Sequence, residues 1–110
     1  MKNAIQNGEV LTLPAPYDRM SGEGALIGTI FGVAQADVVQ DARGAFVRRG
    51  VFTLAKTSAQ AWTVGAKLYW DDTNKVCTTT ASGNTLIGAA VAAAANPSAT
   101  GDVLLDGTIR

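Results

Sequence analysis

Histidine is absent from this chain of 110 residues, and cysteine occurs once, at Cys77. Without histidine the chain lacks the side chain that most often acts as a general base near neutral pH and binds metals. A single cysteine excludes an intrachain disulfide. With no histidine to activate its thiol, Cys77 is expected to be a small strand residue rather than a nucleophile. These absences predict a protein that is not an enzyme and has no catalytic residues, no metal site and no cofactor.

Charge is also scarce. Charged residues make up 16% of the chain, and nine Lys and Arg balance nine Asp and Glu. Typical soluble domains carry about 25% charged residues. Nucleic-acid binding depends on clustered basic side chains, so no nucleic-acid partner is expected. The low charge, together with 47% hydrophobic residues, indicates surface that is buried by association.

Long apolar runs are missing as well. No stretch approaches the ~18 consecutive apolar residues of a membrane-spanning helix. The first residues are polar and no apolar stretch follows them, so neither a signal peptide nor a membrane partner is predicted. The unpaired Cys77 gives no sign of an oxidising compartment, which favours synthesis in the cytoplasm.

Short strands separated by turn residues are what the sequence does contain. The most specific pattern covers residues 64–72 and 75–80, where aromatic and β-branched residues flank an Asp-Asp-Thr-Asn turn and predict a hairpin. Further strands are predicted over residues 9–13, 25–34, 45–56 and 100–106. The stretch 25–34 is expected to be one buried strand, and 45–56 one strand with a bulge near Gly50.

Two segments are ambiguous. Residues 57–64 are compatible with one short helical turn, because Thr57 and Ser58 are acceptable N-caps and Gly65 can end it. The alanine-rich run 89–95 has high helix propensity but spans only about two turns, and we favour a strand. The prediction is an all-β fold, a small single-domain β-barrel or sandwich of short, mainly antiparallel strands with at most one helical turn. We expect residues 1–24 to form an extended N-terminal arm and loop, and residues 25–110 to form the domain.

Candidate binding motifs are weak. The glycines at 22, 24 and 28 miss the dinucleotide spacing by one residue and precede a strand, and residues 44–51 lack the Lys and Ser/Thr of a phosphate-binding loop. Trp62, Tyr69 and Trp70 allow two interpretations. On one exposed face they would serve a small β-barrel module that binds oligosaccharide or single-stranded nucleic acid. Otherwise they are anchors of the core or of a subunit contact.

An ordered series of segments resembles the small capsid cement, or decoration, proteins of tailed bacteriophages and prophages. The series comprises residues 7–16, 50–54, 64–71, 75–76, 78–79, 82–84, 87–88, 90 and 103–107, and so spans nearly the whole chain. The resemblance implies a β-rich structural protein that binds the outer surface of an icosahedral head between major capsid proteins and stabilises the expanded shell. It implies self-association as a homo-dimer or homo-trimer, and a location on the virion.

A Pro-bounded apolar strand near a terminus is well placed for strand addition. We therefore expect residues 1–16 to form an arm that contacts the shell or a neighbouring subunit. The predicted capsid or subunit contacts are Ile5, Val10, Leu11, Leu13, Trp62 and Trp70.

Overall fold

A computed structural model describes residues 8–109, and all regular structure within that range is β. The strands are β1 (Val10–Pro14), β2 (Gly24–Ile27), β3 (Ile30–Ala34), β4 (Arg43–Val47), β5 (Arg49–Ala55), β6 (Lys67–Asp71), β7 (Val76–Thr78), β8 (Thr85–Ala90) and β9 (Thr100–Asp106). This confirms the predicted all-β fold. Between residues 8 and 109 there is no helix long and apolar enough to cross a membrane.

The strands form two antiparallel sheets. The first has the order β1-β4-β3-β2 and the second the order β5-β9-β8-β6-β7. The second sheet curls into a half-barrel, because a parallel bridge between Lys56 and Cys77 brings its two edges together. Arg48 lies between β4 and β5, where the chain passes from the first sheet to the second.

The main hydrophobic core lies against the inner face of the curled sheet and also includes Val33 of the first sheet, with Leu26 and Phe31 packed against it. Alternate residues of β9 point inward, so Val103 and Leu105 are buried while Leu104 between them is exposed. The bulkiest members of this core are Trp62 and Trp70. A smaller cluster, formed by Phe46 with three buried alanines, belongs to the first sheet.

The predicted strand over residues 25–34 is wrong in one respect. The segment is a hairpin, in which β2 and β3 pair with Ile27 opposite Ile30 around a turn at Gly28 and Thr29. Gly28 has φ +62°, a left-handed conformation that suits the first central position of a two-residue hairpin turn. Since both strands are apolar, the hydrophobic run continues through the turn and conceals it.

The segment 45–56 is likewise two strands rather than one bulged strand. β4 and β5 belong to different sheets, and the interruption falls at Arg48. Gly50, with φ +122°, lies just inside β5. A change of sheet and a bulge both bend an extended chain, and the sequence signal at Gly50 does not separate them.

The two ambiguous segments contain no helix. Trp62 exchanges backbone hydrogen bonds of 3.0 and 3.1 Å with Ala94, so residues 57–64 and the end of the alanine-rich run hold each other in extended, irregular conformations. β8 ends at Ala90, and the predicted strand over residues 89–95 therefore holds for its first two residues. The hairpin predicted from residues 64–80 is confirmed as β6 and β7.

Candidate functional site

The N-terminal strand β1 lies at an edge of the first sheet. Among the described strands its neighbour is β4, with Val10 opposite Val47 and Pro14 opposite Arg43. The other side of β1 faces no described strand, and an edge of this kind is where an added strand can pair. Pro14 has no N–H and limits such pairing at the end of β1.

The contact residues predicted in this segment are half-buried. Leu11 lies opposite Phe46 and so shares its face of the sheet with Leu13, which packs against the smaller core cluster. Val10 lies on the opposite face. Packing within the chain therefore explains part of the apolar character of Leu11 and Leu13. Ile5 lies outside the described residues, and the contact role of all four residues stays a prediction.

The two tryptophans lie in the main core. Trp62 and Trp70 are each 2% exposed, and the ring of Trp70 is 4.9 Å from that of Phe31 between centroids. Burial favours the core role for both indoles and leaves no exposed platform on which a base or sugar could stack. Tyr69 is half-buried. The indole N–H of Trp62 has no hydrogen-bond partner among the described residues.

Asp72 joins the two sheets. Its Oδ1 accepts hydrogen bonds from the Tyr17 hydroxyl at 2.9 Å and from the Trp70 indole N–H at 3.0 Å. The ammonium group of Lys75 lies 4.2 Å from the centroid of the Tyr17 ring. Burial raises the pKa of the Tyr17 hydroxyl, and the Asp72 carboxylate raises it further. The phenol therefore stays protonated, and its hydrogen bond to Asp72 joins the β1–β2 connection to the β6–β7 turn.

The neighbouring Asp71 supports the turn itself. Its Oδ1 accepts hydrogen bonds from the backbone N–H groups of Thr73 and Asn74 at 3.0 and 3.2 Å. The hydrogen bond from the Asn74 side chain, together with these backbone bonds, holds the pKa of Asp71 below its usual range. The sequence predicted a turn role for both aspartates. Both lie where the prediction puts them, because Asp71 ends β6 and caps the turn and Asp72 is the first residue of the turn. The further role of Asp72 has no local sequence signal, because its partner Tyr17 is 55 residues away.

Arg48 holds the ends of the two sheets together. Its guanidinium donates to the carbonyl oxygens of Gly8, at 2.7 Å, and Gly107. These carbonyls lie just before β1 and just after β9, so one side chain fixes the N-terminal strand against the C-terminal strand. The adjacent Arg49 makes an exposed ion pair with Glu9 at 3.5 Å, a kind that contributes little to stability.

The thiol of Cys77 is held in an unreactive form. Cys77 is fully buried, and burial raises the pKa of its thiol to about 12. It is therefore a protonated core residue near neutral pH. Within residues 8–109 no cluster of three or more His, Cys, Asp and Glu side chains is arranged to hold a metal ion.

Comparison with known proteins identifies the family. Neither the curated proteins nor the solved structures contain a match. The family model described as phage cement protein matches residues 5–105, a range that includes β1 to β8 and all of β9 except its last residue. The chain belongs to the phage cement protein family.

Proposed function

We propose that this protein binds the outer surface of an icosahedral phage head between major capsid proteins and stabilises the expanded shell. The observation that carries the proposal is the family match over residues 5–105. The role is structural rather than catalytic, in keeping with a buried, protonated Cys77. The protein is made in the host cytoplasm and functions on the virion.

The architecture is suited to this task. The main core is built mostly from the curled sheet, and β1 is an edge strand on the neighbouring sheet that contributes no residue to that core. A segment from the shell, or from a neighbouring copy, can extend the first sheet beyond β1 without opening the main core. We infer that residues 1–7, which precede this edge, form the arm that completes the contact.

Multivalency explains how modest contacts can stabilise a large shell. A homo-dimer or homo-trimer on a symmetry axis repeats the same contact on adjacent capsid subunits. Linking two contacts raises avidity by roughly 10²–10⁴ over one contact alone. Separating two shell subunits then requires several contacts to be lost together.

Binding to expanded, undecorated shells tests the proposal directly. Purified protein is mixed with the shells, and cryo-microscopy counts the bound copies and locates them. We expect discrete occupancy between major capsid proteins and a higher temperature of shell disruption. Absence of saturable binding would reject the function.

Deletion of residues 1–7 tests the arm separately. The deletion leaves β1 and both cores intact, so the oligomeric state and the unfolding temperature of the purified protein serve as controls. Weaker shell binding by the folded deletion variant supports the arm. Unchanged binding would reject the arm while leaving the cement function in place.

A further inference from the structure

We propose that two neighbouring loops form a docking surface for a basic, apolar patch on the major capsid protein. The surface, called here the loop lobe, surrounds a cavity of about 260 Å³. It is lined by Asp18, Arg19, Met20, Asp37, Val38 and Val39. The inference rests on the proposed function, because it names the surface through which the shell is held.

Two large apolar side chains project from the lobe. Met20 and Val39 are each 65% exposed and line the same cavity. Single exposed apolar residues are common on proteins and need no explanation. Two of them beside one cavity, on loops that bury neither side chain, supply the apolar centre that protein interfaces require.

The lobe is ordered by its own hydrogen bonds. The backbones of Arg19 and Val38 exchange two bonds of 2.8 Å. Asp18 accepts a bond from the Gln40 N–H at 2.7 Å, and Asp37 accepts one from the Ser21 N–H at 2.8 Å. Each aspartate thus holds the opposite loop in place. Loops that are ordered before binding lose less conformational entropy in a complex, which favours a recognition role.

Charge identifies the occupant. Asp18 and Asp37 each use one carboxylate oxygen within the lobe, and no hydrogen bond from residues 8–109 engages the other oxygen, which can accept one from a partner. The adjacent cation Arg19 is already engaged, because its guanidinium donates to two backbone carbonyls and lies 3.8 Å from Glu23. Two copies that met lobe to lobe would oppose like charges. A capsid surface with an apolar recess bordered by Lys or Arg complements the lobe.

The contribution of the apolar side chains of the loop lobe to shell binding is tested with the double variant Met20→Ser/Val39→Ser. Val64→Ser is the matched control, because Val64 is 70% exposed but lies in the β5–β6 connection. We expect the double variant to bind expanded, undecorated shells at least about tenfold more weakly than the control. Sedimentation and circular dichroism should match the wild type. Undiminished binding would overturn the inference, and so would a change of oligomeric state, since the lobe would then be a contact between copies.

The contribution of the two carboxylates of the loop lobe to shell binding is tested with the double variant Asp18→Asn/Asp37→Asn. Asparagine keeps the oxygen that accepts the loop hydrogen bond and removes the charge. We expect weaker shell binding at low salt and a shallower dependence of affinity on salt concentration. Asp102→Asn is the control, because Asp102 also accepts a side-chain hydrogen bond, from Thr53 at 2.8 Å, but lies in β9. A salt dependence equal to that of the wild type would overturn the basic partner.

Shell binding by the wild-type protein distinguishes a failure of the loop-lobe assignment from a failure of the proposed cement function. Wild-type binding that both lobe variants retain in full overturns the lobe and leaves the cement function standing. Failure of the wild type itself to bind the shells rejects the cement function, and the lobe assignment with it.

Discussion

Gly101 in β9 is the position where one methyl group should most disturb the main core. A Cβ atom at this position would lie 2.4 Å from Cζ3 and 2.7 Å from Cε3 of Trp62. Carbon atoms in contact are normally about 3.5–4.0 Å apart, so the ring or the strand would have to move by about 1 Å. The indole is 2% exposed and has little room to do so. We expect Gly101→Ala to lower the free energy of unfolding by about 3 kcal/mol, the upper end for overpacking.

A double-mutant cycle with Trp62→Phe isolates the cause. Phenylalanine lacks the outer ring that the new methyl group would meet, so the clash should be relieved although the smaller ring leaves a cavity. We expect Gly101→Ala to cost about 1–2 kcal/mol less in the Trp62→Phe background than in the wild type. Denaturant unfolding of the four proteins, followed by circular dichroism, measures the difference. Equal costs in both backgrounds would refute the reasoning.

A glycine in open space provides the control for the backbone. A Cβ at Gly83 would meet no atom within 4 Å, but its φ of +75° disfavours any other residue. Gly83→Ala should therefore lower stability by about 1 kcal/mol, by the same amount with either side chain at position 62. A dependence on that side chain would show that the cycle reports something other than the contact between Gly101 and the indole.

Three further predictions concern the buried side chains of Lys56 and Cys77 and the exposed carboxylate of Asp72. Lys56 is 3% exposed and its ammonium donates to three backbone carbonyls, at 2.8, 3.3 and 3.4 Å. Lys56→Met should lower the free energy of unfolding by about 2 kcal/mol, because three partly buried carbonyl groups lose their donor. Asp72→Leu should lower the unfolding temperature more than Asp72→Asn, which keeps an oxygen acceptor for the phenol and indole donors. Cys77 has a pKa of about 12 in the folded chain against 9.0 as its reference value, so the folded state binds the thiol proton more tightly. Its contribution to stability should be complete below pH 9 and decline between about pH 9 and 12, by roughly 1.4 kcal/mol per pH unit.

A matched comparison tests each of these three predictions. Lys67→Met removes an exposed ammonium group and should change stability by less than about 0.5 kcal/mol; a Lys56→Met protein as stable as this control would contradict the assigned hydrogen bonds. For Asp72, equal unfolding temperatures of the two variants would show that the acceptor does not matter. For the thiol, the difference in stability between wild type and Cys77→Ala should vary above pH 9, and a difference independent of pH would contradict its burial.

Local chemistry made part of the fold predictable. The β6–β7 hairpin follows from Asp71, whose side chain caps the turn whatever the rest of the chain does. The turn at Gly28 was missed because apolar strands on both sides hide it. The change of sheet at Arg48 was missed because β4 and β5 follow each other directly in the chain. Their sequences do not show that each strand pairs in a different sheet. The order of strands in each sheet depends on contacts between residues that are distant in sequence, and such contacts leave no local sequence pattern.

The surface sites were less predictable than the core. Aromatic content singled out Trp62 and Trp70, but large aromatic residues serve cores as well as interfaces, and burial assigns both to the core. Met20 stands among polar residues and Val39 has only Val38 beside it, so no hydrophobic period marks either residue. They line one cavity because the loops bridge between Arg19 and Val38, a contact that depends on the completed first sheet.

The unequal cores of the two sheets suggest how binding and stability are coupled. The main core buries two tryptophans and several branched side chains, nearly all from the curled sheet and its connections, and the first sheet adds Val33 to it. The separate cluster of the first sheet has one phenylalanine with three alanines. The smaller apolar area gives the first sheet less stability of its own. Both proposed contacts with the shell, the edge of β1 and the loop lobe, belong to that weaker half. A partner that binds only the folded form stabilises it by mass action, so the shell should protect the first sheet from local opening more than the second. The hydrogen bond from Tyr17 to Asp72 joins that half to the turn of the stronger sheet, and it gives the proposed shell contacts a firm attachment to the rest of the protein.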